Sequence, residues 1–125
     1  MKLFIGNQTR EIVLRAAMAR FSNYGYKRTS VEDIAQEASV TRPTVYAHFK
    51  NKRNILRCVS EGIHQATLAN VESALRSDAT LEGRLTASFW AWSEPFMGIL
   101  FGSPHGAELI GASSTLASDM TLASQ

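Results

Sequence analysis

The sequence predicts an all-α fold: a three-helix helix-turn-helix head, then a long linking helix and a short helical C-terminal part. Apolar residues recur every three to four positions along most of the 125 residues. Three prolines and eight glycines leave few interruptions. No stretch of any length alternates apolar and polar residues as a half-buried strand does. With 45% apolar and 19% charged residues, the composition is that of a globular chain.

Charge divides the chain into two unlike halves. Residues 1–60 hold eleven Lys and Arg against four Asp and Glu, a balance of +7. Residues 61–125 hold two against seven, a balance of −5, and the two halves sum to the net charge of +2. This asymmetry suggests a basic half that meets a polyanion and an acidic half that does not.

Composition also excludes several classes of protein. A single cysteine, Cys58, excludes a scaffold held by internal disulfides, and we expect it to be a buried packing residue. The N-terminal apolar run, residues 3–5, is too short for a signal peptide. The most apolar later stretch, residues 85–101, is interrupted by Glu94 and Pro95, so no membrane span is predicted. We therefore expect a cytoplasmic protein with no membrane partner.

The first helix is predicted over residues 9–23. Val13, Ala17 and Phe21 recur every four residues and form one apolar face. Thr9 is the expected N-cap, and a glycine at position 25 ends the segment.

The second helix is predicted over residues 30–38 and is short. The segment Thr29-Ser30-Val31-Glu32 fits a capping box, in which a hydroxyl and a glutamate three residues later satisfy free backbone N–H groups. A tight turn at Ser39-Val40 follows.

The third helix is predicted over about residues 42–49. Thr41 is its expected N-cap, and Pro43 lies in the first turn, where a missing N–H costs nothing. Val45 and Phe49, four residues apart, are expected to face inward.

Three further helices are expected after this head. The fourth begins after Asn51 and runs to about Leu75. The fifth covers residues 81–101, with Pro95 as a candidate kink. The sixth covers residues 105–116, and the tail after it has little apolar surface to bury.

Residues 30–38 and 42–49, joined by a short turn, form a predicted helix-turn-helix. In such a unit the second helix enters the DNA major groove and its N-terminal residues meet base edges. An eight-residue helix is about 12 Å long, which is comparable with the width of that groove.

Residues 29–52, TSVEDIAQEASVTRPTVYAHFKNK, resemble the DNA-binding head of TetR-type transcriptional regulators. The upstream Val13-Leu14-Arg15-Ala16-Ala17, with Phe21 and Gly25-Tyr26, is similar to the family's first helix. The resemblance covers about residues 9–58, which we predict to be the DNA-binding domain. It implies a homodimeric regulator, in our interpretation a repressor, that binds a palindromic double-stranded DNA operator. The same resemblance implies that a small-molecule effector held by the C-terminal helices releases the DNA.

The chain departs from the family pattern at three points. Ser39 stands where the family often has glycine, so a left-handed backbone there would be mildly strained. Arg20 stands where leucine is common. Family members usually continue through more helices than residues 59–125 supply, so we predict that this part is a partial effector and dimerisation region. The alternative is a truncated regulator or interaction module that lacks the usual dimer helices and effector pocket.

The motif singles out eight candidate DNA-contacting residues. Arg42 can bond guanine O6 and N7, and Thr44 can bond a base edge or touch a thymine methyl. The family pattern implies that Tyr46 and His48 bond phosphates. Lys52 opens a helix where a cation is locally unfavourable, which favours a nearby phosphate. The hydroxyl residues at helix N-termini complete the set, which is Thr29, Ser30, Thr41, Arg42, Thr44, Tyr46, His48 and Lys52.

The aromatic stretch of the fifth helix is open to three interpretations. As a pocket for a small apolar or aromatic effector, it would be lined by Phe89, Trp90, Trp92, Phe96, Met97 and Phe101. Packing in the core is the commoner fate of such a stretch, and we weight it above the pocket. The third interpretation is an exposed patch that drives association.

Nothing in the sequence predicts an enzyme, a cofactor or a metal site. It holds no Gly-rich phosphate loop, no metal-spaced His/Cys set and no supported Ser/His/Asp arrangement. His105 and Glu108, three residues apart, could point at a ligand or metal, but no other clustered ligands support that role.

Overall fold

The computed structural model describes residues 7–123, except for the side chains of Met120, Thr121 and Ala123. Within this range the chain forms six helices and no strand. They are α1 (Gln8–Tyr24), α2 (Val31–Glu37), α3 (Arg42–His48), α4 (Lys52–Leu75), α5 (Leu81–Gly102) and α6 (Gly106–Ala123). The predicted all-α class and the order of its elements are confirmed.

Helix α1 begins two residues earlier than its predicted cap. The side chain of Asn7 accepts a hydrogen bond from the backbone N–H of Arg10 at 2.8 Å, so Asn7 is the N-cap and the prediction of Thr9 is wrong. Asparagine is among the strongest capping residues, and it satisfies one of the N–H groups left free in the first turn.

The capping box of α2 lies one residue later than predicted. The Ser30 hydroxyl accepts from the Asp33 N–H at 3.0 Å, and the Asp33 carboxylate accepts from the Ser30 N–H at 2.9 Å. The segment holds two overlapping hydroxyl–carboxylate pairs with this spacing, Thr29 with Glu32 and Ser30 with Asp33. The first pair is not used because the Thr29 hydroxyl is buried and donates to the Gly25 carbonyl at 2.7 Å.

The turn between α2 and α3 has the conformation that the sequence suggests. Ser39 adopts a positive φ of 57°, a left-handed conformation that a side chain disfavours. The Thr41 hydroxyl then accepts from the Thr44 N–H, and the Asn51 side chain accepts from the Asn54 N–H at the start of α4. Both predicted caps are confirmed.

The core is concentrated in the head, where α1–α3 pack with the first turns of α4. Val45 and Phe49 face inward as predicted, and Cys58 is buried with 8% of its surface exposed. The largest fully buried side chains all belong to this region: Val13, Leu14, Phe21, Ile34, Val45, Phe49, Ile55, Leu56 and Val59. From the C-terminal part, α6 adds Leu109 and Leu116. The predicted domain boundary between residues 58 and 59 falls inside α4.

Helix α6 is longer than predicted and packs against α1, α4 and α5. It continues to position 123 because its serines and threonines do not break it. The hydroxyls of Ser114, Thr115 and Ser118 each donate to the carbonyl one turn earlier, at 3.0–3.1 Å.

The turn between α5 and α6 depends on a glycine. A Cβ at Gly106 would lie 1.7 Å from the Ile99 carbonyl oxygen, so only glycine permits this close approach of two backbones. The turn also contacts the head, since the backbone N–H of His105 donates to the Ser22 carbonyl of α1 at 2.8 Å.

Candidate nucleic-acid interface

One face of helix α3 packs in the core of the head, and the other face lies at the surface. Val45 is fully buried and Phe49, which caps the helix, is 2% exposed. Four of the remaining positions form two stripes at four-residue spacing, Arg42 with Tyr46 and Thr44 with His48. Arg42 is exposed and Tyr46 has 43% of its surface exposed, while Thr44 and His48 are half-buried.

Arg42 and Tyr46 form a pair on this surface. The guanidinium carbon of Arg42 lies 5.5 Å from the centroid of the Tyr46 ring. A hydrogen bond with Tyr46 is the main cause that raises the pKa of Arg42, which keeps the guanidinium charged. The ring therefore orients an exposed arginine without neutralising it.

Thr41 and Thr44 also interact at the start of α3. Their hydroxyl oxygens lie 2.8 Å apart, and either can be the donor. Because Thr41 already accepts from the Thr44 N–H, the two hydroxyls are preordered next to Arg42. Hydroxyls held in this way can still accept or donate towards a groove.

The structure corrects the expectation for Thr29. Its side chain is only 3% exposed and its hydroxyl is occupied by the Gly25 carbonyl, so it is a structural contact within the head. Ser30, by contrast, is exposed at the N-terminus of α2.

Lys52 is already engaged inside the protein. Its ammonium donates to the Tyr26 carbonyl at 2.9 Å and lies 4.3 Å from the centroid of the Tyr26 ring. Burial lowers the pKa of Lys52, and the negative charge of Glu108 opposes that effect. An ammonium has three donors, so two N–H groups remain for other partners.

The basic charge of the head is only partly compensated. Ion pairs join Arg15 to Glu11 and Arg20 to Glu37 within the head, and Arg53 to Asp119 across to α6. Four other cations of the head form no ion pair with any residue of the range 7–123: Lys27, Arg28, Arg42 and Lys50.

A cavity of about 460 Å³ lies between α4, α5 and α6. Its wall is mainly apolar and includes Ile63, Leu68, Ile99 and Leu109. Arg57 and Glu61, which also line it, pair with each other at 3.9 Å. The cavity therefore suits a neutral, apolar guest better than a charged one.

The structure corrects the predicted pocket residues. Of the six, only Trp92 and Phe96 line the cavity, while Phe89, Trp90, Met97 and Phe101 do not. Core packing, the favoured interpretation, is wrong because no residue of α5 is buried. The less exposed positions of α5 were not predicted: they are Gly83, Arg84, Ser88, Ala91, Ser93, Pro95 and Ile99, most of which form one stripe. This stripe of mostly small residues faces the rest of the molecule, so the aromatic side chains that do not line the cavity face outward.

The walls of the cavity that come from α4 and α6 were also not predicted from the sequence. On α4, Ser60, Ile63 and Thr67 line it at helical spacing, and Ser60 donates to Ser113 of α6 at 3.0 Å. The signal was present as a second stripe on α4, beside the stripe that packs in the core.

Two further sites raised by the sequence can be located. His105 Nδ1 and Glu108 Oε2 lie 3.3 Å apart and contact each other. Within residues 7–123 no group of three or more His, Cys, Asp or Glu side chains is arranged to hold a metal ion. No helix in the same range is both long and apolar enough to cross a bilayer.

Comparison with known proteins places the head in a family. The family model described as bacterial regulatory proteins, tetR family, matches residues 13–59. The HTH-type transcriptional regulator TtgR of Pseudomonas putida is 36% identical over 58 residues, which are 46% of this chain and 28% of TtgR. Residues 13–59 belong to the tetR family. The resemblance inferred from the sequence is confirmed.

The similarity extends beyond the tetR-family head. The HTH-type transcriptional repressor ComR of Escherichia coli (strain K12) is 30% identical over 111 residues, 88% of this chain and 52% of ComR. The solved ketosteroid transcriptional regulator KstR2 of Mycobacterium tuberculosis matches with a TM-score of 0.61 at 22% identity. That match covers 89% of this chain and 63% of KstR2, and it shows a shared fold. The chain thus spans about half or less of the length of these curated relatives.

Proposed function

We propose that this chain is a DNA-binding transcriptional regulator that acts as a repressor. The observation that carries the proposal is the outer face of α3, where a charged Arg42 and preordered hydroxyls stand on a tetR-family head. The name of ComR as a repressor supports the direction of regulation, and the curated relatives are named as regulators rather than enzymes.

The proposed contacts divide into two classes. Arg42 and Thr44 read base edges in the major groove. Tyr46, His48 and Lys52 bond phosphates, with Ser30 and Thr41 beside them, and fix the register without reading sequence. In this proposal residues 9–58 form the DNA-binding unit and residues 59–125 the effector and dimerisation part.

A fluorescence-anisotropy titration tests DNA recognition. The chain is titrated against DNA from upstream of its own gene and against a scrambled duplex of the same composition, at several salt concentrations. We expect a clear preference for the upstream DNA and, for roughly four phosphates per protomer, a log–log salt slope of about −3.6 per protomer. Absence of binding to either duplex at low salt would contradict the proposal.

We further propose that the cavity between α4, α5 and α6 binds a neutral apolar effector that releases the DNA. The pairing of Arg57 with Glu61 and the mainly apolar wall support this class of ligand. KstR2 shares the fold and is named as a ketosteroid regulator, which supports an apolar effector for this chain.

Tryptophan fluorescence tests the cavity because the two tryptophans of α5 differ in position. Trp92 lines the cavity and Trp90 does not. With bromobenzene as a neutral probe, which quenches tryptophan only on contact, we expect saturable quenching that Trp92→Phe largely removes and Trp90→Phe largely retains. Equal losses in the two variants would show that the probe binds the outer aromatic face instead.

The homodimer is also a proposal, and we infer that a second copy of this chain covers the outer face of α5. Phe89, Trp90 and Phe101 are more than half exposed there. The helix holds only three charged residues, Glu82, Arg84 and Glu94, so like-charge repulsion opposes self-association little. In sedimentation velocity we expect a dimer that Trp90→Glu dissociates. A monomer that binds both duplexes weakly and equally would instead support the alternative of an interaction module without dimer contacts.

A further inference from the structure

One peptide group of the α1–α2 loop is held at both ends by charged side chains from other helices. The carbonyl oxygen of Tyr26 accepts from the Lys52 ammonium of α4 at 2.9 Å. The N–H of the same peptide group, on Lys27, donates to the Glu108 carboxylate of α6 at 3.1 Å. Because C=O and N–H point in opposite directions in a trans peptide, the loop lies between the two charged groups.

The approach of Glu108 requires a particular loop geometry. Gly25 has a φ of 97°, and a Cβ there would lie 2.6 Å from the Glu108 carboxylate. His105 holds the other side of that carboxylate at 3.3 Å, and its own backbone N–H is bonded to Ser22 of α1. The Lys27 N–H and the His105 ring therefore orient the carboxylate, and the missing side chain of Gly25 leaves room for it.

The two hydrogen bonds reinforce each other. Each has one ionised partner, and such bonds are roughly twice as strong as neutral ones. A cation on the oxygen and an anion on the N–H polarise the peptide in the same direction, which strengthens both contacts. The pKa of Glu108 is lowered, chiefly by the hydrogen bond from the Lys27 backbone and further by His105, as expected if the carboxylate form is the one held.

The same helix that supplies Glu108 also forms the cavity wall. Leu109, the next residue, is 2% exposed, packs in the core and lines the cavity. A displacement of the first turn of α6 therefore acts on the cavity and on the Tyr26–Lys27 peptide together.

We propose that Glu108 is a positioning residue for the DNA-binding surface: through the Tyr26–Lys27 peptide it fixes where the Lys52 ammonium stands. Lys52 then meets a phosphate from a defined position, and α6 is coupled to the DNA contact. The structural half of this inference concerns the free protein. The DNA half rests on the function proposed above.

Nuclear magnetic resonance tests the structural half on the intact chain without DNA. The amide proton shift of Lys27 is followed from pH 7 to pH 3, where it reports ionisation of Glu108. The titratable groups facing that carboxylate are His105 in the α5–α6 turn, Lys27 on the loop and Lys52 on α4. We expect a titration with a midpoint below the ordinary glutamate value of about 4.3.

Three variants give the controls. Glu108→Gln should abolish this acidic titration step, and Lys52→Met should move its midpoint upward because the cation no longer polarises the peptide. Glu72→Gln removes the same charge from the exposed C-terminal part of α4 and should leave the Lys27 curve unchanged. The proposed coupling of Glu108 to Lys52 through the Tyr26–Lys27 peptide is wrong if the acidic titration step of Lys27 persists in Glu108→Gln. It is also wrong if the midpoint of that step is unchanged in Lys52→Met.

The anisotropy titration tests the DNA half with the same variants. We expect Glu108→Gln to weaken binding to upstream DNA by about fivefold or more, the lower end of typical couplings between sites. Binding to scrambled DNA should weaken to a similar extent, because a phosphate contact reads no sequence. Glu72→Gln should stay within about twofold of the wild type. If the wild type shows no preference for upstream DNA, the proposed function fails. The Lys27 titration still shows whether Glu108 and Lys52 are coupled through the Tyr26–Lys27 peptide. If the wild type shows a preference and Glu108→Gln binds both duplexes as tightly as the wild type does, the positioning role is wrong.

Discussion

Residues on the exposed side of the head are preordered by neighbouring side chains. Arg42 stacks on Tyr46, Thr44 contacts Thr41, and Lys52 lies over Tyr26. Long side chains lose rotamer freedom when they bind, so partners that restrict them beforehand lower the entropic cost of binding. Sequence spacing predicted Arg42, Thr44, Tyr46 and His48 as one surface. It could not predict the Lys52 contact because that partner lies 26 positions away.

Ser39 carries a backbone strain that glycine would relieve. Its φ of 57° costs an L-residue about 1–2 kcal/mol, while glycine loses about 0.5–1 kcal/mol more chain entropy on folding. We expect Ser39→Gly to raise the free energy of unfolding by about 0.5 kcal/mol in urea denaturation. Ser39→Ala removes the same hydroxyl but keeps the strain, so it should bring no gain. An equal gain in both variants would assign the effect to the hydroxyl.

Asp33 makes the stability of the head depend on pH. Its pKa is lowered, mainly by the hydrogen bond from the Ser30 backbone and then by that from the Ser30 side chain. A lowered folded-state pKa contributes stability above the unfolded value of about 3.9, and that contribution is lost as the pH falls through the folded value. We expect the difference in unfolding free energy between the wild type and Asp33→Asn to shrink as the pH drops below about 4. A difference that stays constant from pH 7 to pH 2.5 would contradict this, and Asp78→Asn is the charge control.

At the scale of elements, the sequence predicted α1–α4 closely because local signals agree there. Turn residues and a one-sided apolar stripe agree there, and the caps of α3 and α4 agree with them, whereas the caps of α1 and α2 were misplaced by one or two residues. Helix α5 lacks that agreement, since one face carries aromatic residues and the opposite face carries mostly small ones. Either face could pack inward on hydrophobicity alone, and the prediction favoured the larger side chains. The cavity was misplaced for the same reason.

Two glycines of α6 provide a matched test of the α5–α6 turn. A Cβ at Gly106 would collide with the Ile99 backbone, whereas a Cβ at Gly111 meets nothing within 4 Å. We expect Gly106→Ala to lower the free energy of unfolding by about 3 kcal/mol, the upper part of the usual range for overpacking. Gly111→Ala, in the helix interior, should raise it by about 0.5–1 kcal/mol. Urea denaturation measures both, and a neutral Gly106→Ala would show that the turn is not tightly packed.

At the scale of the whole molecule, charge and apolar surface are separated. The head carries uncompensated basic residues, while α5 presents aromatic side chains with little charge around them. Helix α6 lies between these regions, contacting α1, α4 and α5. The charge asymmetry was visible in the sequence, whereas the return of α6 onto the head was not, because it depends on contacts between residues about 80 positions apart, such as Lys27 and Glu108.

The central claim is that α3 reads bases in the major groove, and protection of guanine N7 from dimethyl sulfate tests it most directly. On upstream DNA saturated with the chain, we expect guanine N7 atoms to be protected in two half-sites. The half-sites should lie about one helical turn, 34–36 Å, or a multiple of it apart. The Arg42→Ala variant should leave one guanine N7 per half-site unprotected, although anisotropy still shows that the variant binds the DNA. Unchanged N7 reactivity at saturation would contradict major-groove recognition by α3.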